Sequence, residues 1–508
     1  MQWLEDIVDE LVKRHPEGEI LIESGGSPSG EYHLGHMREL VTCDAILMAL
    51  RKRGRKARHI YFVDDLDALR KIPANIPPEY DKYLGRPLCD IPSPDKDKSY
   101  ADYFIEGLQK GCDSLGIEVE FIRAHEKYRN GFFTEAIEIS LDNIERIKNI
   151  LETISNRKLG TDWSPIQVNE GGYLKKRRFI SIDKSAKTLN YEDKEGNEQS
   201  ISYASGDVKL DWRIDWPARW WLLGVAVEPF GRDHASAGGS YDTGEQVVGQ
   251  IFGAKAPIAV KYDFINLFGD TKKMSASKGT GLSASEAAGI IPSEVMRYFI
   301  LNAPPNKLLH FDPIGGLTRL VDEFAALLAK PDKDTKEESL IELCTNGVES
   351  VVSSVPFSHL VASYQSALKD PDKTLETISR TEHAHNVKAQ KDIILKELKF
   401  IDNWLEKWAP EDVKFSILQK VEPSGFTAAE KEYLGALADK IESGPEDADG
   451  EWFHKAIYEF KDHTELEPKQ LFQTLYKILI GKASGPRAGW FLSILPRDWL
   501  IKRLRFKA

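Results

Sequence analysis

Ile20-Leu21-Ile22-Glu23-Ser24-Gly25-Gly26-Ser27-Pro28-Ser29-Gly30-Glu31-Tyr32-His33-Leu34-Gly35-His36 is the stretch whose reading decides the fold. The apolar run at 20–22 reads as a buried strand, the Gly/Ser/Pro segment as a turn, and His33 as the start of a helix. Gly30 and Gly35 carry no side chains, so a phosphate or an adenine can approach the backbone closely. His33 and His36 are three residues apart and share one face of a first helical turn, at the positive end of the helix. A second segment, Lys272-Lys273-Met274-Ser275-Ala276-Ser277-Lys278-Gly279, comes after the last strand-like run and supplies ammonium groups. Alone, a His-x-x-His pair is a common surface feature and a Lys/Ser run is usually solvated. Together the two segments read as a two-sided clamp for a triphosphate.

Outward from this stretch, the first 300 or so residues alternate strand-like and helix-like text. Strands are expected at Glu19–Ile22, His59–Val63, Val119–Arg123, Gly224–Val227 and Ile258–Ile265, each a short apolar run of the kind buried in a parallel sheet. Between them Leu40, Cys43, Leu47 and Leu50 repeat at helical spacing, as do Tyr100, Phe104, Leu108 and Cys112, and Phe132 to Ile154 reads as one periodic helix. The alternation predicts an α/β, Rossmann-type doubly wound parallel sheet. Residues 155–223 interrupt it with polar, turn-rich text and strand-like Arg178–Ile182 and Gln199–Tyr203, as expected of an inserted, mostly β module. Strand signals fade after Pro304-Pro305, and the text to the end is helical, punctuated at Pro331, Pro356, Pro371, Pro410, Pro423 and Pro445. The expected organisation is a catalytic domain over 1–310 containing the insertion at 155–223, then an all-α domain over 311–508.

Composition narrows the class. With 508 residues, 41% hydrophobic and 29% charged, the chain has the make-up of a multidomain soluble protein. No apolar run is long enough for a bilayer, and no secretory signal opens the chain, so the expected compartment is the cytoplasm and no membrane partner is expected. The four cysteines have no Cys-x-x-Cys spacing and read as isolated thiols. The net charge of −12 opposes nucleic-acid binding on average, but local patches count for more. Basic clusters stand at Arg51 to Arg58, Lys175 to Arg178 and Lys502 to Lys507. Each reads either as a nucleic-acid patch or as structural charge. In the first, the charges suit a helix C-terminus with Gly54 just past its end.

Further candidates stand just after the strands. Asp233, in Phe230-Gly231-Arg232-Asp233-His234, stands where open α/β sheets place a ribose-binding carboxylate, although a helix N-cap is the plain alternative. Asp64, Asp65 and Asp67 come after the second strand and either face the same crevice or are solvated turn carboxylates. Trp212, Trp216, Trp220 and Trp221 at near-helical spacing read as core packing or as a pocket for a long alkyl cation.

These strings resemble one family. The Pro28–His36 and Lys272–Gly279 segments look like the HIGH and KMSKS signatures of class I aminoacyl-tRNA synthetases. Glu23 to Gly30, Phe62-Val63-Asp64-Asp65-Leu66-Asp67-Ala68-Leu69-Arg70-Lys71, Trp212-Arg213-Ile214-Asp215-Trp216-Pro217 and Pro229 to His234 followed by Gly238-Gly239-Ser240-Tyr241 look like class I lysyl-tRNA synthetase. Gly485-Pro486-Arg487 resembles that family's C-terminal helical region. The resemblance implies a Rossmann catalytic domain, an acceptor-stem insertion and an α-helical anticodon-binding region. It also implies lysine, ATP, Mg²⁺ and tRNA(Lys) as reactants, a lysyl-adenylate intermediate, initial attack by the 2′-OH of the terminal ribose, and a monomer. By the same resemblance His33, His36, Lys273 and Lys278 are catalytic. Pro28, Ser29, Gly30, Gly35, Gly231, Asp233, Met274, Ser275 and Ser277 bind ATP, while Gly25, Ser27, Trp216, His234 and Tyr262 line the lysine site. Asp65 is one candidate partner for the ε-ammonium.

Two departures from the family pattern matter. Lys273-Met274-Ser275-Ala276-Ser277 lacks the second lysine of KMSKS, a place Lys278 would have to fill. Many relatives hold zinc with two Cys-x-x-Cys-Gly pairs in the insertion. Here the matching places read Gln167-Val168-Asn169-Glu170-Gly171 and Ser202-Tyr203-Ala204-Ser205-Gly206, so a metal-free module is expected. Two other readings stay open: a synthetase for glutamate or another nucleotidyltransferase, and a non-catalytic tRNA-binding paralogue.

Overall fold

The computed structural model describes residues 1–268, 282–346, 350 and 352–508. The chain divides into two compact units, Met1–Ala288 with Met296–Phe311 and Thr335–Gly347, and Gly289–Val295 with Asp312–Asp334 and Val348–Ala508.

In the first unit, helix α1 (Gln2–Arg14) precedes β1 (Ile20–Gly26), α2 (Leu34–Lys52), β2 (Ala57–Val63), α3 (Tyr100–Ser114) and β3 (Glu120–Arg123). Helices α4 (Ala124–Arg129), α5 (Thr134–Asp142) and α6 (Ile144–Ser155) lead to six short strands: β4 (Ile166–Glu170), β5 (Tyr173–Lys176), β6 (Arg178–Asp183), β7 (Thr188–Glu192), β8 (Glu198–Ser202) and β9 (Val208–Leu210). Next come α7 (Trp212–Leu223), β10 (Val225–Gly231), α8 (Ser240–Gln250) and β11 (Ile258–Tyr262), with a small parallel pair β12 (Ile265–Leu267) and β13 (Leu309–Phe311).

The main sheet has the order β11-β10-β1-β2-β3, with every pairing parallel. Chain order therefore reverses between β1 and β10, which opens a crevice at the carboxyl ends of these strands. Apolar residues fill both faces, as the uninterrupted hydrophobic runs require: Leu21, Ile60, Phe62 and Val225 from the sheet pack with Tyr128, Phe133, Trp216, Trp220 and Val247.

Several boundaries differ from the sequence reading. The segment 132–154 is two helices, because Asn143 leaves the helical region (φ −120°, ψ 24°) and hands its side chain to the Ile139 carbonyl. The run 258–265 is likewise broken, with β11 ending at Tyr262 and β12 starting at Ile265. Arg38 of α2 fastens this break. Its buried guanidinium donates to the carbonyls of Asp263, Phe264, Pro304, Pro305 and Lys307 at 2.6–3.3 Å.

The first basic cluster is structural. Gly54 lies just past the end of α2 with φ +74°. Arg51 pairs with Glu118, Arg53 with Glu5 and Asp9, and Arg58 with Glu19 and Glu120. In the second cluster, Lys176 reaches Asp211 at 2.7 Å, while Arg177 pairs with Glu170 and Arg178 with Glu192. In the third, Arg505 pairs with Asp439 and Glu442.

The stretches 167–171 and 202–206, where zinc ligands would have been expected, are held by hydrogen bonds. Glu170 holds Arg177 at 2.7 Å, and Ser205 Oγ donates to Asp207 at 2.7 Å. Amide, hydroxyl and already-paired carboxylate groups do not fit a zinc site.

The second unit is helical among its described residues, with Ala428–Glu442, Gly450–Tyr458, Pro468–Ile480, Ala488–Ile494 and Arg497–Leu504 enclosing Leu434, Leu437, Ile457, Leu475, Leu479, Phe491 and Leu500. The prolines expected to punctuate it stand at helix starts or between helices. Pro371 opens one helix, and Pro410 and Pro445 lie past the ends of two others.

Candidate active site

A cavity of about 450 Å³ occupies the crevice where strand order reverses. One wall is the carboxyl end of β1 and the start of α2, with Gly25, Gly26, Ser27, His33, Gly35, His36 and Glu39. The opposite wall is the end of β10 and the turn beyond it, with Glu228, Gly231, Asp233 and His234. Trp212, Trp216 and Tyr262 complete it.

The two imidazoles cap their own helix. His33 is the N-cap residue of α2, with φ −109° and ψ 171°. The Gly35 N–H donates to His33 Nδ1, and the His33 N–H meets His36 Nδ1, both at 3.1 Å. The His33 Nδ1 thus accepts from Gly35, while His36 Nδ1 lies between the His33 N–H and, at 3.2 Å, the His33 carbonyl oxygen, and its tautomer sets which of the two it bonds. The ring centroids lie 4.1 Å apart. The absence of a side chain at Gly35 is necessary here, because a Cβ would sit 2.9 Å from His33 Cε1. The helix start thus sets two imidazoles side by side at its own positive end.

Beyond the imidazoles, the cavity is acidic and aromatic. Glu228, in the middle of the otherwise apolar β10, accepts from the indole N–H of Trp216 at 2.9 Å and from that of Trp220. Burial pushes its carboxyl up to about 7, against the pull of the two indoles and Arg219. Glu39 accepts from the Gly25 N–H at 3.0 Å and from the Tyr262 hydroxyl, and burial raises it to about 8. A Cβ on Gly25 would meet the Phe62 carbonyl oxygen at 2.7 Å, so β1 keeps its register beside β2 only with glycine there.

The floor is a buried charge network. Arg219 lies 4.1 Å over the Phe62 ring and donates to Asp64 at 2.9 Å and Asp215 at 3.0 Å, with Glu23 at 3.5 Å. Lys209, almost wholly buried, lies 3.1 Å from both Asp67 and Asp215, and Tyr128 donates to Asp215 at 2.6 Å. Burial raises Asp64 to about 7 and lifts Glu23 well above the carboxylate range. Arg219 and Lys209 thus share four acids, and burial offsets part of that acidity by favouring the protonated forms of Glu23 and Asp64.

The sequence-derived residues distribute unevenly over this cavity. Gly25, Ser27, His33, Gly35, His36, Trp216, Gly231, Asp233, His234 and Tyr262 all line it. Pro28, Ser29 and Gly30 do not; the Ser29 carbonyl instead accepts from Tyr100. Asp65 is also outside, because its buried carboxylate is committed to Arg123 Nε at 2.6 Å and to the His125 backbone N–H and ring. Lys273, Met274, Ser275, Ser277 and Lys278 lie outside the described residues. Sequence reasoning missed Glu39, Arg219 and Glu228. Their signal was present: a carboxylate one turn after His36 on the same helix face, another inside an apolar strand, and an arginine within the tryptophan stretch.

The tryptophans divide between the cavity wall and the core. Trp212 and Trp216 stack at 5.7 Å and each meets His234 edge-on, facing the cavity, while Trp220 is buried against Tyr241 and Trp221 packs on Phe252.

Known proteins match the chain over most of its length. The family model described as tRNA synthetases class I (K) matches residues 1–345, and that described as an anticodon binding domain matches residues 385–507. A lysine–tRNA ligase 1 of Methanosarcina acetivorans is 37% identical, with 99% of this chain and 98% of the relative covered. The lysine–tRNA ligase of Archaeoglobus fulgidus is 37% identical over 99% of both chains, and that of Pyrococcus horikoshii 32% identical over the whole of both.

Proposed function

We infer the roles of the site residues from one premise, that the chain belongs to the class I tRNA synthetases (K). The enzyme ligates lysine to tRNA in two steps. First the lysine carboxylate attacks the α-phosphorus of ATP, the bond to the bridging oxygen breaks, and lysyl-adenylate and pyrophosphate form. Then a hydroxyl of the terminal ribose of tRNA attacks the acyl carbon and AMP leaves. Neither step needs a covalent enzyme intermediate, so catalysis is alignment and charge stabilisation.

The observation that carries the site assignment is an acidic, aromatic cavity abutting paired imidazoles at the reversal point of the sheet. His33 and His36 donate from Nε2 to ATP phosphate oxygens, and Asp233, beyond the end of β10, holds the ribose. From the sequence, Lys273, with Lys278 in the place of the missing second lysine, neutralises the departing pyrophosphate, and Met274, Ser275 and Ser277 belong to the same loop. Gly25 and Ser27 border the amino-acid backbone, and Trp216, His234 and Tyr262 wall the alkyl chain. Glu39 and Glu228 meet the ε-ammonium in place of Asp65. A cation entering this cavity is favoured because Glu39 and Glu228, raised by burial, give up their protons to pair with it. A glutamate side chain is disfavoured because the buried Arg219 is already held by Asp64 and Asp215.

ATP enters as its magnesium complex, and the insertion works without zinc. The reading further assigns residues 1–310 to catalysis, 155–223 to acceptor-stem contact and 311–508 to stem and anticodon contact, in a monomeric, cytoplasmic enzyme with tRNA(Lys) as partner.

The test is ATP–pyrophosphate exchange with each of the twenty amino acids, followed by charging of tRNA. Lysine alone should support exchange. Glu39→Gln and Glu228→Gln should each raise the KM for lysine about tenfold or more with the KM for ATP unchanged. His36→Ala and Lys273→Ala should lower kcat roughly 100-fold or more with little change in lysine affinity. Near-full exchange in the last two variants refutes the phosphate assignment.

A further inference from the structure

Two indoles, and no cation, hold the Glu228 carboxylate. Trp216 Nε1 donates to both of its oxygens, at 2.9 Å and 3.0 Å, and Trp220 Nε1 donates to Oε2. Trp216 lines the reaction cavity, whereas Trp220 does not and is buried behind it. We propose that Trp220 is a positioning residue, which fixes the Glu228 carboxylate where the ε-ammonium of lysine meets it and so sets the preference for a cationic side chain. The proposal rests on the reading of Glu228 given above.

The chemistry of the donor is the first argument. An indole has one N–H, which only donates, and it carries no charge. It aims a carboxylate and favours the ionised form without neutralising it. A guanidinium or ammonium in the same place would close the pair and leave no charge for a substrate cation to satisfy. Arg219, one residue before Trp220, shows that alternative, since Asp64 and Asp215 hold it. Among the described residues no cation stands within bonding distance of Glu228. Its Oε2 has two donors and its Oε1 one, which leaves Oε1 the lone-pair capacity to take an ammonium.

Rigidity is the second argument. Trp216 and Trp220 stand one helical turn apart on α7, so both indoles reach the same residue of β10. The Trp220 ring has no room to swing away. It packs 4.8 Å from the Trp216 ring and 5.7 Å from that of Tyr241, and a Cβ on Gly244 of α8 would lie 2.9 Å from two of its carbons. Tyr241 is fixed in turn, stacked on Phe230 and donating to the Pro257 carbonyl at 2.8 Å. A donor so tightly seated holds the carboxylate before the substrate arrives, and pre-formed geometry is what a specificity contact requires.

The experiment measures ATP–pyrophosphate exchange by the full-length protein for the wild type, Trp220→Phe, Glu228→Gln and the double variant. Lysine is the substrate, and norleucine, the neutral amino acid of the same chain length, is the competing inhibitor. Phenylalanine keeps an aromatic ring beside Tyr241 and lacks the N–H. Trp220→Phe should raise the KM for lysine about tenfold, the usual loss for one hydrogen bond to a charged group, with kcat and the KM for ATP within about twofold. The inhibition constant of norleucine should not change, because a neutral side chain gains nothing from an aimed carboxylate. Added to Glu228→Gln, Trp220→Phe should raise the KM for lysine no further. Equal losses for lysine and norleucine, or additive losses in the double variant, overturn the proposal in favour of plain packing. An unchanged KM for lysine in Trp220→Phe beside a raised one in Glu228→Gln overturns it alone. An unchanged KM in Glu228→Gln removes the reading of Glu228 and the proposal with it. Should Trp220→Phe melt early, benzothienylalanine at position 220, with sulfur in place of the N–H in a ring of the same shape, repeats the measurement under the same criteria.

Discussion

Replacing Arg219 with methionine removes the one guanidinium that holds Asp64 and Asp215 under the reaction cavity, while keeping an unbranched side chain over Phe62. At an effective dielectric of about 20, each contact near 3 Å carries roughly 5–6 kcal/mol of attraction. Most of that is offset by the cost of burying the charges, and breaking one side of a buried pair leaves a net loss of about 3–5 kcal/mol. The loss is pH-dependent, and its sign comes from the partners. Without the cation, the folded protein binds protons at Asp64 and Glu23, already raised by burial, still more tightly than the unfolded chain does. Their protonation relieves the repulsion, so the variant loses least near pH 5 and most near pH 8. Urea unfolding at both pH values measures this, and Arg219→Met/Asp215→Asn should recover part of the loss. A cost below about 1 kcal/mol at pH 8, or one equal at both pH values, would refute the view that Arg219 neutralises the floor.

Three further outcomes are expected. In the ligand-free wild type, Glu39 near 8 and Asp64 and Glu228 near 7 hold protons that the unfolded chain releases, so stability should fall between about pH 5 and pH 8. Each group contributes at most about 1.4 kcal/mol per pH unit; saturating lysine should flatten the decline, and a profile rising over this interval would contradict it. Gly35→Ala should displace the His33 ring, lowering kcat for exchange about 100-fold while unfolding stability stays within about 1 kcal/mol; unchanged kcat would show that the ring position is immaterial. Purified protein should contain no stoichiometric zinc and regain full activity after chelator treatment when magnesium alone is restored, and metal analysis decides this directly.

Much of the catalytic unit was legible because its signals are local. Short apolar runs mark strands buried on both faces, and glycines followed by a histidine at a helix start mark the phosphate wall. What escaped depends on contacts distant in sequence. Asp65 and Asp64 are neighbours in one turn with the same chemistry, yet Arg123 and His125 take the first and Arg219 the second. Nothing within the turn distinguishes them. Glu228 stands just past the expected strand Gly224–Val227, and its importance appears only when two indoles from the next-door helix converge on it. The division of 132–154 at Asn143 was hidden for a different reason, since the apolar repeat runs straight through a residue whose side chain ends one helix locally.

The reciprocal cap of His33 and His36 has a consequence for how such an enzyme wears out. His33 is aimed by the Gly35 peptide and His36 by the His33 peptide within one turn, so neither can be retuned alone, and losses from the two single replacements should overlap rather than multiply. The first turn of α2 is also where a helix frays soonest. Warming, or a mild chaotrope, would therefore extinguish amino-acid activation while the sheet beneath is still intact.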